Sequence, residues 1–301
     1  SWVVTRKRGV SLMRCFLQRM QAAQQYPYYL LETIRPRYNA SGNTTRCMFQ
    51  VQELHAPDIT IDQAQSSCKM NNLKENLHNV RSRVQSACAR AGRDASEVTI
   101  LAVSKKHSTG RIRTLHALGQ SAFGENRIQE ALPKIEELRS LGLEWHFIGP
   151  LQSNKTSEAA QHFDWVQSVD RLKIMRRLAD QRPSTLPPLN ILVQVNIDRE
   201  PQKAGVLREQ AFELAQAAQG FSNLRLRGLM SIPRIASEDH DPGSSYQEMQ
   251  ELFSELRRQG LTIDTLSMGM SADMESAIMH GSTMVRIGTD LLGPRPEPGA
   301  A

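Results

Sequence analysis

Between residue 98 and the end of the chain, short apolar runs alternate with longer stretches of helical periodicity. The short runs are typical of buried strands, and eight of them occur, at 98–105, 121–126, 144–149, 164–170, 190–197, 224–230, 264–270 and 284–288. Amphipathic stretches lie between them at 128–141, 170–181, 208–219 and 245–259. Strands separated by helices pair in parallel through crossover connections. The pattern therefore predicts an α/β domain built on a parallel sheet.

Two parallel architectures fit eight strand–helix units. Residues 70–301 approach the roughly 250 residues of a (β/α)8 barrel. An open, doubly wound sheet is the alternative, but there a GxGxxG motif commonly follows the first strand, and this chain has SKKHSTG at that place. We therefore predict a single (β/α)8 TIM barrel.

The first 69 residues differ from the rest of the chain. They show no sustained period, and their nine Lys/Arg against four Asp/Glu supply +5 of the net charge of +6. Helical periodicity begins at Met70, with Leu73, Leu77, Val80 and Val84 on one face. We expect residues 1–69 to be an N-terminal extension, either disordered or a non-native leader, with a transit peptide as the compositional alternative. The barrel domain is then expected over residues 70–301.

Composition excludes several classes of function for the barrel domain. Residues 70–301 hold 28 Lys/Arg and 27 Asp/Glu, so their charge gives no argument for binding nucleic acid. The four cysteines form no CxxC motif and no cluster with histidine, so neither a disulfide framework nor a zinc site is supported. Uninterrupted apolar runs fall short of the roughly 18 residues that cross a bilayer. We expect a cytoplasmic protein without a membrane or nucleic-acid partner.

Each predicted strand is apolar in its middle and becomes polar where it ends. In a (β/α)8 barrel the strand ends form the mouth, where active sites lie. The polar residues at these ends are Lys105, Asn126, His146, Ser231, Ser271, Arg286 and Thr289. Polar residues placed this way indicate a site rather than packing.

The ends of strands seven and eight have the residues of a phosphate site. Barrels commonly bind phosphate with these two loops, aided by a helix N-terminus. Gly288 allows backbone N–H groups to approach an oxyanion, while Ser271 and Thr289 add hydroxyl donors. We therefore predict an anion site there.

A lysine at the end of strand one extends this prediction to a cofactor. A lysine amine can form an imine with an aldehyde, and an aldehyde joined to a phosphate describes pyridoxal 5′-phosphate (PLP). Arg286 could face the pyridine nitrogen of that cofactor. Periodicity does not choose between Lys105 and Lys106, and a Schiff-base aldolase is the alternative within this fold.

Several motifs of the chain resemble those of the pyridoxal phosphate homeostasis proteins, also called the YggS/PROSC family. They run in order from about Met70 to Gly293 and are LAVSK, FGEN, EWHFIGPLQSNK, RLRGLMSIP, LSMGMSADMESAI and GSTMVRIGTDLLG. The resemblance implies a single-domain barrel of PLP fold type III, related to the N-terminal domain of alanine racemase. It also implies that the protein holds PLP and takes part in intracellular PLP homeostasis.

The resemblance assigns roles to individual residues. It implies that Lys105, which closes the AVSK motif, forms the Schiff base with PLP. The other positions that it assigns to the cofactor are Ser271, Gly288 and Thr289 at the phosphate, Arg286 at the pyridine nitrogen, and Asn126, Met230 and Ser231 at the cofactor wall. It assigns no catalytic residue and no metal ligand.

Four further residues have open roles. His107 and Arg127 stand where many members of the family have a lysine and an aromatic residue. Lys203 is either a second lysine at the mouth or a solvated loop charge. His146 is either a hydrogen-bonded residue of the barrel wall or a proton shuttle.

The function expected from these observations is that of a non-catalytic PLP carrier. The alternative is a PLP-dependent amino-acid racemase with His146 as a base. Because strand eight is followed by LLGPRPEPGAA at residues 291–301, we expect no second domain of the kind on which alanine racemase depends. A third hypothesis, an adaptor acting through residues 1–69, rests only on their basic charge. PLP-dependent apo-enzymes are the expected partners, and the expected state is a monomer.

Overall fold

The structure, a computed structural model, describes residues 37–38, 44–46, 61–234 and 242–294. The chain divides into two units, Ser1–Ser67 and Cys68–Ala301. In the first unit, strands Arg37–Tyr38 and Thr44–Arg46 pair antiparallel. Most of residues 1–69 lie outside the described residues, so the expected disordered or non-native leader stays a prediction.

The second unit is a closed barrel of eight parallel strands. The strands are β1 (Thr99–Val103), β2 (Ala122–Glu125), β3 (Glu144–Phe147), β4 (Trp165–Val169), β5 (Leu189–Val195), β6 (Leu224–Ser231), β7 (Thr265–Met270) and β8 (Met284–Ile287). Each strand pairs with the next along the chain, and β8 pairs with β1 to close the barrel. All eight predicted strands are present, and the (β/α)8 barrel is confirmed.

Helices precede β1 and follow the strands. The α-helices are α1 (Ile61–Arg90), α2 (Thr109–Ala117), α3 (Ile128–Glu137), α4 (Thr156–His162), α5 (Leu172–Gln181), α6 (Arg208–Ala217), α7 (Pro242–Arg258), α8 (Met274–Met279) and α9 (Thr289–Leu292). Short 3-10 helices span Ala95–Glu97, Arg139–Leu141, Ser153–Lys155 and Ala218–Gly220. None of the helices in the described part of the chain is both long enough and apolar enough to cross a membrane.

Helix α1 differs from the prediction in where it begins. Its apolar stripe is buried as expected, since Leu73, Leu77, Val80 and Val84 are all 4% exposed or less. The helix begins at Ile61, however, and not at Met70. The segment before Met70 is mostly polar and contains no Pro or Gly, so it is compatible with a helix but has no apolar period that would indicate one.

Apolar side chains form two layers, one between the strands and the surrounding helices and one inside the barrel. The main core lies between the strands and the surrounding helices. Two smaller clusters belong to the barrel interior, one of Leu101, Ala122 and Met284 and the other of Trp165, Leu192 and Met230. Because side chains alternate along a strand, these clusters identify which face of each strand points inward.

A buried ion pair fixes the ends of β1 and β2 against helix α3. The Lys134 ammonium lies 2.7 Å from the Glu125 carboxylate, whose side chain is fully buried. The Ser104 hydroxyl donates to the same carboxylate oxygen at 2.7 Å, and Lys134 also donates to the Ser104 carbonyl at 2.9 Å. Burial raises the pKa of Glu125, while the charge of Lys134 opposes this shift. The pair therefore holds the two strand ends together.

Replacing Lys134→Met is expected to lower the free energy of unfolding by about 3–5 kcal/mol, because it leaves the Glu125 charge buried and uncompensated. The folded-state pKa of Glu125, already raised above the ordinary 4.5, would rise further. The Glu125 carboxyl group of the folded variant then binds its proton more tightly than the same group in the unfolded chain. The stability of the variant therefore falls as the pH rises from the ordinary pKa of Glu125 toward its raised folded-state pKa. Urea unfolding at neutral and mildly acidic pH measures both effects.

The matched control is the double variant Glu125→Gln, Lys134→Met, which removes both charges. It is expected to recover most of the lost stability at neutral pH. Equal destabilisation of the single and double variants would show that packing, and not the charge of Glu125, is responsible.

Candidate functional site

The two lysines at the end of β1 have different environments. Lys105 is half-buried, whereas Lys106 is exposed and has a left-handed backbone with φ of 64°. The strand direction continues past Val103, because the Ser104 N–H donates to the Gly124 carbonyl at 3.0 Å. Leu101 belongs to the barrel interior, and the same alternation assigns Lys105 to the inner face. Lys105 is therefore the lysine directed toward the mouth.

The pairing of β8 with β1 brings the ends of these strands side by side. Ile287 lies opposite Ala102 in the parallel register, so Gly288 follows beside Val103. On the other side of β8, Arg286 lies opposite Met270, the residue before Ser271. The lysine and the predicted anion site therefore occupy neighbouring strand ends.

Gly288 lies close to Val103 of β1. A Cβ atom at this position would be in ordinary contact, 3.8 Å from both the Cβ atom and the carbonyl oxygen of Val103. Helix α9, which follows, has only four residues. Backbone N–H groups and hydroxyls, rather than the dipole of a long helix, are therefore the donors available to an anion here.

The wall of the mouth is formed by residues at the ends of β2, β3 and β6. Met230 and Ser231 are fully buried, and no group among the described residues hydrogen-bonds the Ser231 hydroxyl. Asn126 is half-buried, and its backbone lies so close to Gly149 that a Cβ atom there would be 2.1 Å from the Asn126 carbonyl oxygen. Gly149 is thus required for the two strand ends to meet.

Arg286 is buried and held from two sides. It donates to the Ser267 carbonyl at 2.8 Å and hydroxyl at 2.9 Å, and to the Ser231 carbonyl at 2.7 Å. Burial lowers the pKa of Arg286 to about 10. The guanidinium therefore remains a cation at neutral pH, and its orientation is fixed by β6 and β7.

A chain of hydrogen bonds crosses the barrel interior from Arg286 to Glu144. The Ser267 hydroxyl, which accepts from Arg286, donates to the Gln167 carbonyl oxygen at 2.8 Å. The Gln167 amide donates to Nδ1 of His146 at 2.9 Å. Nε2 of His146 then donates to the Glu144 carboxylate at 2.6 Å. Every donor points the same way, from a cation at the mouth to an anion at the opposite end.

His146 belongs to this network and not to the surface of the mouth. Its side chain is fully buried, and both ring nitrogens are hydrogen-bonded. The ring also stacks on Trp165, with centroids 5.0 Å apart. Burial lowers the pKa of His146, although the hydrogen bond to Glu144 opposes this shift. This environment is that of a neutral, hydrogen-bonded wall residue and does not suit a proton shuttle.

The remaining residues with open roles lie around the mouth. His107 is 5% exposed, and its backbone N–H donates to the Ser104 carbonyl at 3.0 Å. Arg127 is exposed and pairs with Glu130 at 3.3 Å. Lys203 pairs with Glu200 and lies 3.3 Å from the Ile232 carbonyl, next to the end of β6.

Sequence reasoning missed the residues that support the site. Gln167 and Ser267 are polar residues in the middle of apolar strands, and that contrast was the available signal. Lys134 lies on a helix with several other charged residues, so nothing in the sequence distinguishes it. Among the described residues, no group of three or more His, Cys, Asp or Glu side chains is placed to hold a metal ion.

The chain is similar to proteins of known family. The profile described as alanine racemase, N-terminal domain, matches residues 70–296. The pyridoxal phosphate homeostasis protein of Pseudomonas aeruginosa is 50% identical over 226 residues, covering 75% of this chain and 97% of that protein. The protein of the same name from Escherichia coli is 49% identical over 229 residues, covering 75% and 98%.

The chain is also similar to a protein of solved structure. PipY of Synechococcus elongatus, determined with PLP bound, is 33% identical and superposes with a TM-score of 0.65. The match covers 73% of this chain and 100% of PipY. The chain therefore belongs to the alanine racemase N-terminal domain family and, within it, to the pyridoxal phosphate homeostasis proteins.

Proposed function

We propose that this protein binds PLP at the barrel mouth and takes part in intracellular PLP homeostasis without turning over a substrate. The observation that carries the proposal is the register of β8 against β1, which sets Gly288 beside the strand that ends in Lys105. The names of the curated relatives and the PLP in PipY point to the same cofactor.

The residues at the mouth fit a phosphorylated aldehyde. When bound, PLP would supply an aldehyde that condenses with a primary amine. Lys105 is the amine that we assign to this role, because it is half-buried and on the inner face. Ser271, Thr289 and the backbone at Gly288 are assigned to the phosphate as hydroxyl and N–H donors. The orphaned Ser231 hydroxyl, with Met230 and Asn126, is assigned to the wall around the ring.

Arg286 is assigned to the pyridine nitrogen. A guanidinium has donors and no acceptor, so it can hydrogen-bond only to an unprotonated nitrogen. Holding the nitrogen unprotonated weakens the ring as an electron sink, which suits a carrier better than an amino-acid transforming enzyme. The hydrogen bonds to Ser267 and Ser231 keep Arg286 in one orientation.

The racemase alternative is disfavoured by the position of His146. A two-base racemisation needs a second base within reach of the substrate proton. His146 was the candidate, but its side chain is fully buried and both of its ring nitrogens are occupied by Gln167 and Glu144. The geometry therefore supports the carrier.

The recipients of the cofactor, the location of the protein and its oligomeric state are also part of the proposal. We propose PLP-dependent apo-enzymes as recipients, the cytoplasm as the location and a monomer as the working state. No partner from the nucleic acids or membranes is proposed.

Borohydride reduction of the PLP-loaded protein, followed by peptide mapping, is expected to place a pyridoxyl group on Lys105. Lys105→Ala should lose both the trapped adduct and the visible absorbance of bound PLP. Lys106→Ala is the matched control and should keep both, since Lys106 is exposed beside the mouth. A pyridoxyl group on Lys106, or undiminished trapping in Lys105→Ala, would contradict the assignment.

Replacing Gln167→Leu is expected to lower the free energy of unfolding by about 1–3 kcal/mol, because it leaves the proton of the buried Ser267 hydroxyl without an acceptor and Nδ1 of His146 without a donor. It should also shift the absorption maximum of bound PLP, since the Ser267 hydroxyl that accepts from Arg286 is no longer held in place by Gln167. Thermal unfolding and the PLP spectrum measure the two effects.

The control for this variant is Ser168→Ala on the same strand. The Ser168 hydroxyl is buried and has no hydrogen-bond partner among the described residues, so its removal leaves no group unpaired. This control should keep the wild-type spectrum. An unchanged spectrum in Gln167→Leu would show that the network does not orient Arg286.

A further inference from the structure

Arg83, on helix α1, joins the two loops that we assign to the phosphate. Its guanidinium donates to the Ser271 carbonyl at 2.9 Å, at the end of β7. It also pairs with Glu275 on helix α8 at 2.6 Å and with Asp290 on helix α9 at 2.5 Å. One side chain from outside the barrel thus fixes the positions of both loops.

The two carboxylates held by Arg83 lie next to the residues of the proposed phosphate site. Asp290 directly follows Thr289, and Glu275, in helix α8, is four residues after Ser271 in the sequence. A carboxylate in this position repels a bound phosphate unless a cation compensates it. The hydrogen bond from Arg83 lowers the pKa of Glu275, which keeps this carboxyl group ionised and paired. Arg83 is therefore the compensating cation for both acidic residues.

Other residues of the same N-terminal region also contact this side of the barrel. The Asn76 amide donates to the Leu291 carbonyl at 3.2 Å. Arg93, just after helix α1, donates to the carbonyls of Ile278 at 3.0 Å and Ser282 at 2.8 Å. Helix α1 is thus docked on the β7–α8 and β8–α9 units, and Arg83 is its contact with the Ser271 carbonyl at the end of β7.

We propose that Arg83 is a positioning residue for the PLP phosphate, acting through Ser271 and by compensating Asp290 and Glu275. It holds the Ser271 backbone in place and cancels the two negative charges that would otherwise oppose an anion. The inference rests on the proposed function, and it assigns to helix α1 a role in how tightly the cofactor is held. It applies to the phosphate and not to the aldehyde end of PLP.

The test compares the binding of PLP and of pyridoxal, which lacks the phosphate, to Arg83→Gln. Loss of a charge-assisted hydrogen-bond clamp is expected to raise the dissociation constant of PLP about tenfold. The dissociation constant of pyridoxal should stay within about twofold of the wild-type value, because no phosphate is present to be repelled or misplaced. Absorbance titration of the full chain measures both constants.

Two further variants complete the test. Arg81→Gln removes an exposed arginine of the same helix, which donates to the Gly119 carbonyl, and should bind both ligands like the wild type. Adding Asp290→Asn to Arg83→Gln removes one uncompensated charge and should recover part of the lost PLP affinity. This recovery would not follow if Arg83 only docked helix α1.

Two results would overturn the inference while leaving the proposed function intact. One is an unchanged PLP dissociation constant in Arg83→Gln, and the other is an equal loss of PLP and pyridoxal binding without recovery in the double variant. A wild-type protein that bound neither ligand would instead overturn the proposed function, and this inference with it.

Discussion

The parallel pairing of β8 with β1 is the constraint on which the site depends. It closes the barrel and brings together residues that are far apart in the sequence, with Ile287 opposite Ala102. A slip of one residue in this register would move Gly288 away from Val103 and reverse the alternation that directs Lys105 inward. The chemistry assigned to the mouth therefore follows from backbone hydrogen bonds between the first and last strands.

Near the pairing of β8 with β1, the buried charged side chains are linked to groups of opposite charge. Inside the barrel, Arg286 is linked through a directional chain of hydrogen bonds to Glu144. Outside the wall, Glu125 pairs with Lys134. A buried charge is costly to remove from water unless it is paired. Arg286 and Glu125 are thus each held by neighbouring strands and helices, which explains how the Arg286 cation keeps one orientation.

Much of the fold could be predicted because it depends on local pattern. The eight strands are apolar runs with polar ends, and each lies within a few residues of its predicted bounds. The start of helix α1 at Ile61 was missed because the first two turns have no apolar period. Polar residues at strand ends identified the candidates at the mouth for the same local reason.

The supporting contacts could not be predicted, because they depend on which strands and helices become neighbours. The partner of Gln167 on β7 is Ser267, a hundred positions away, and Arg83 meets Asp290 across an even longer separation. Periodicity likewise did not distinguish Lys105 from Lys106. In the structure they differ, because the turn after β1 leaves Lys106 exposed. Sequence therefore identified the candidate residues but not the network that orients them.

The most direct test of the central claim is a crystal structure of the PLP-loaded protein. The account predicts continuous density between the Lys105 side chain and the cofactor, with the phosphate contacting Ser271, Gly288 and Thr289 and the ring nitrogen facing Arg286. A cofactor bound at another lysine, or a phosphate held away from the ends of β7 and β8, would contradict it.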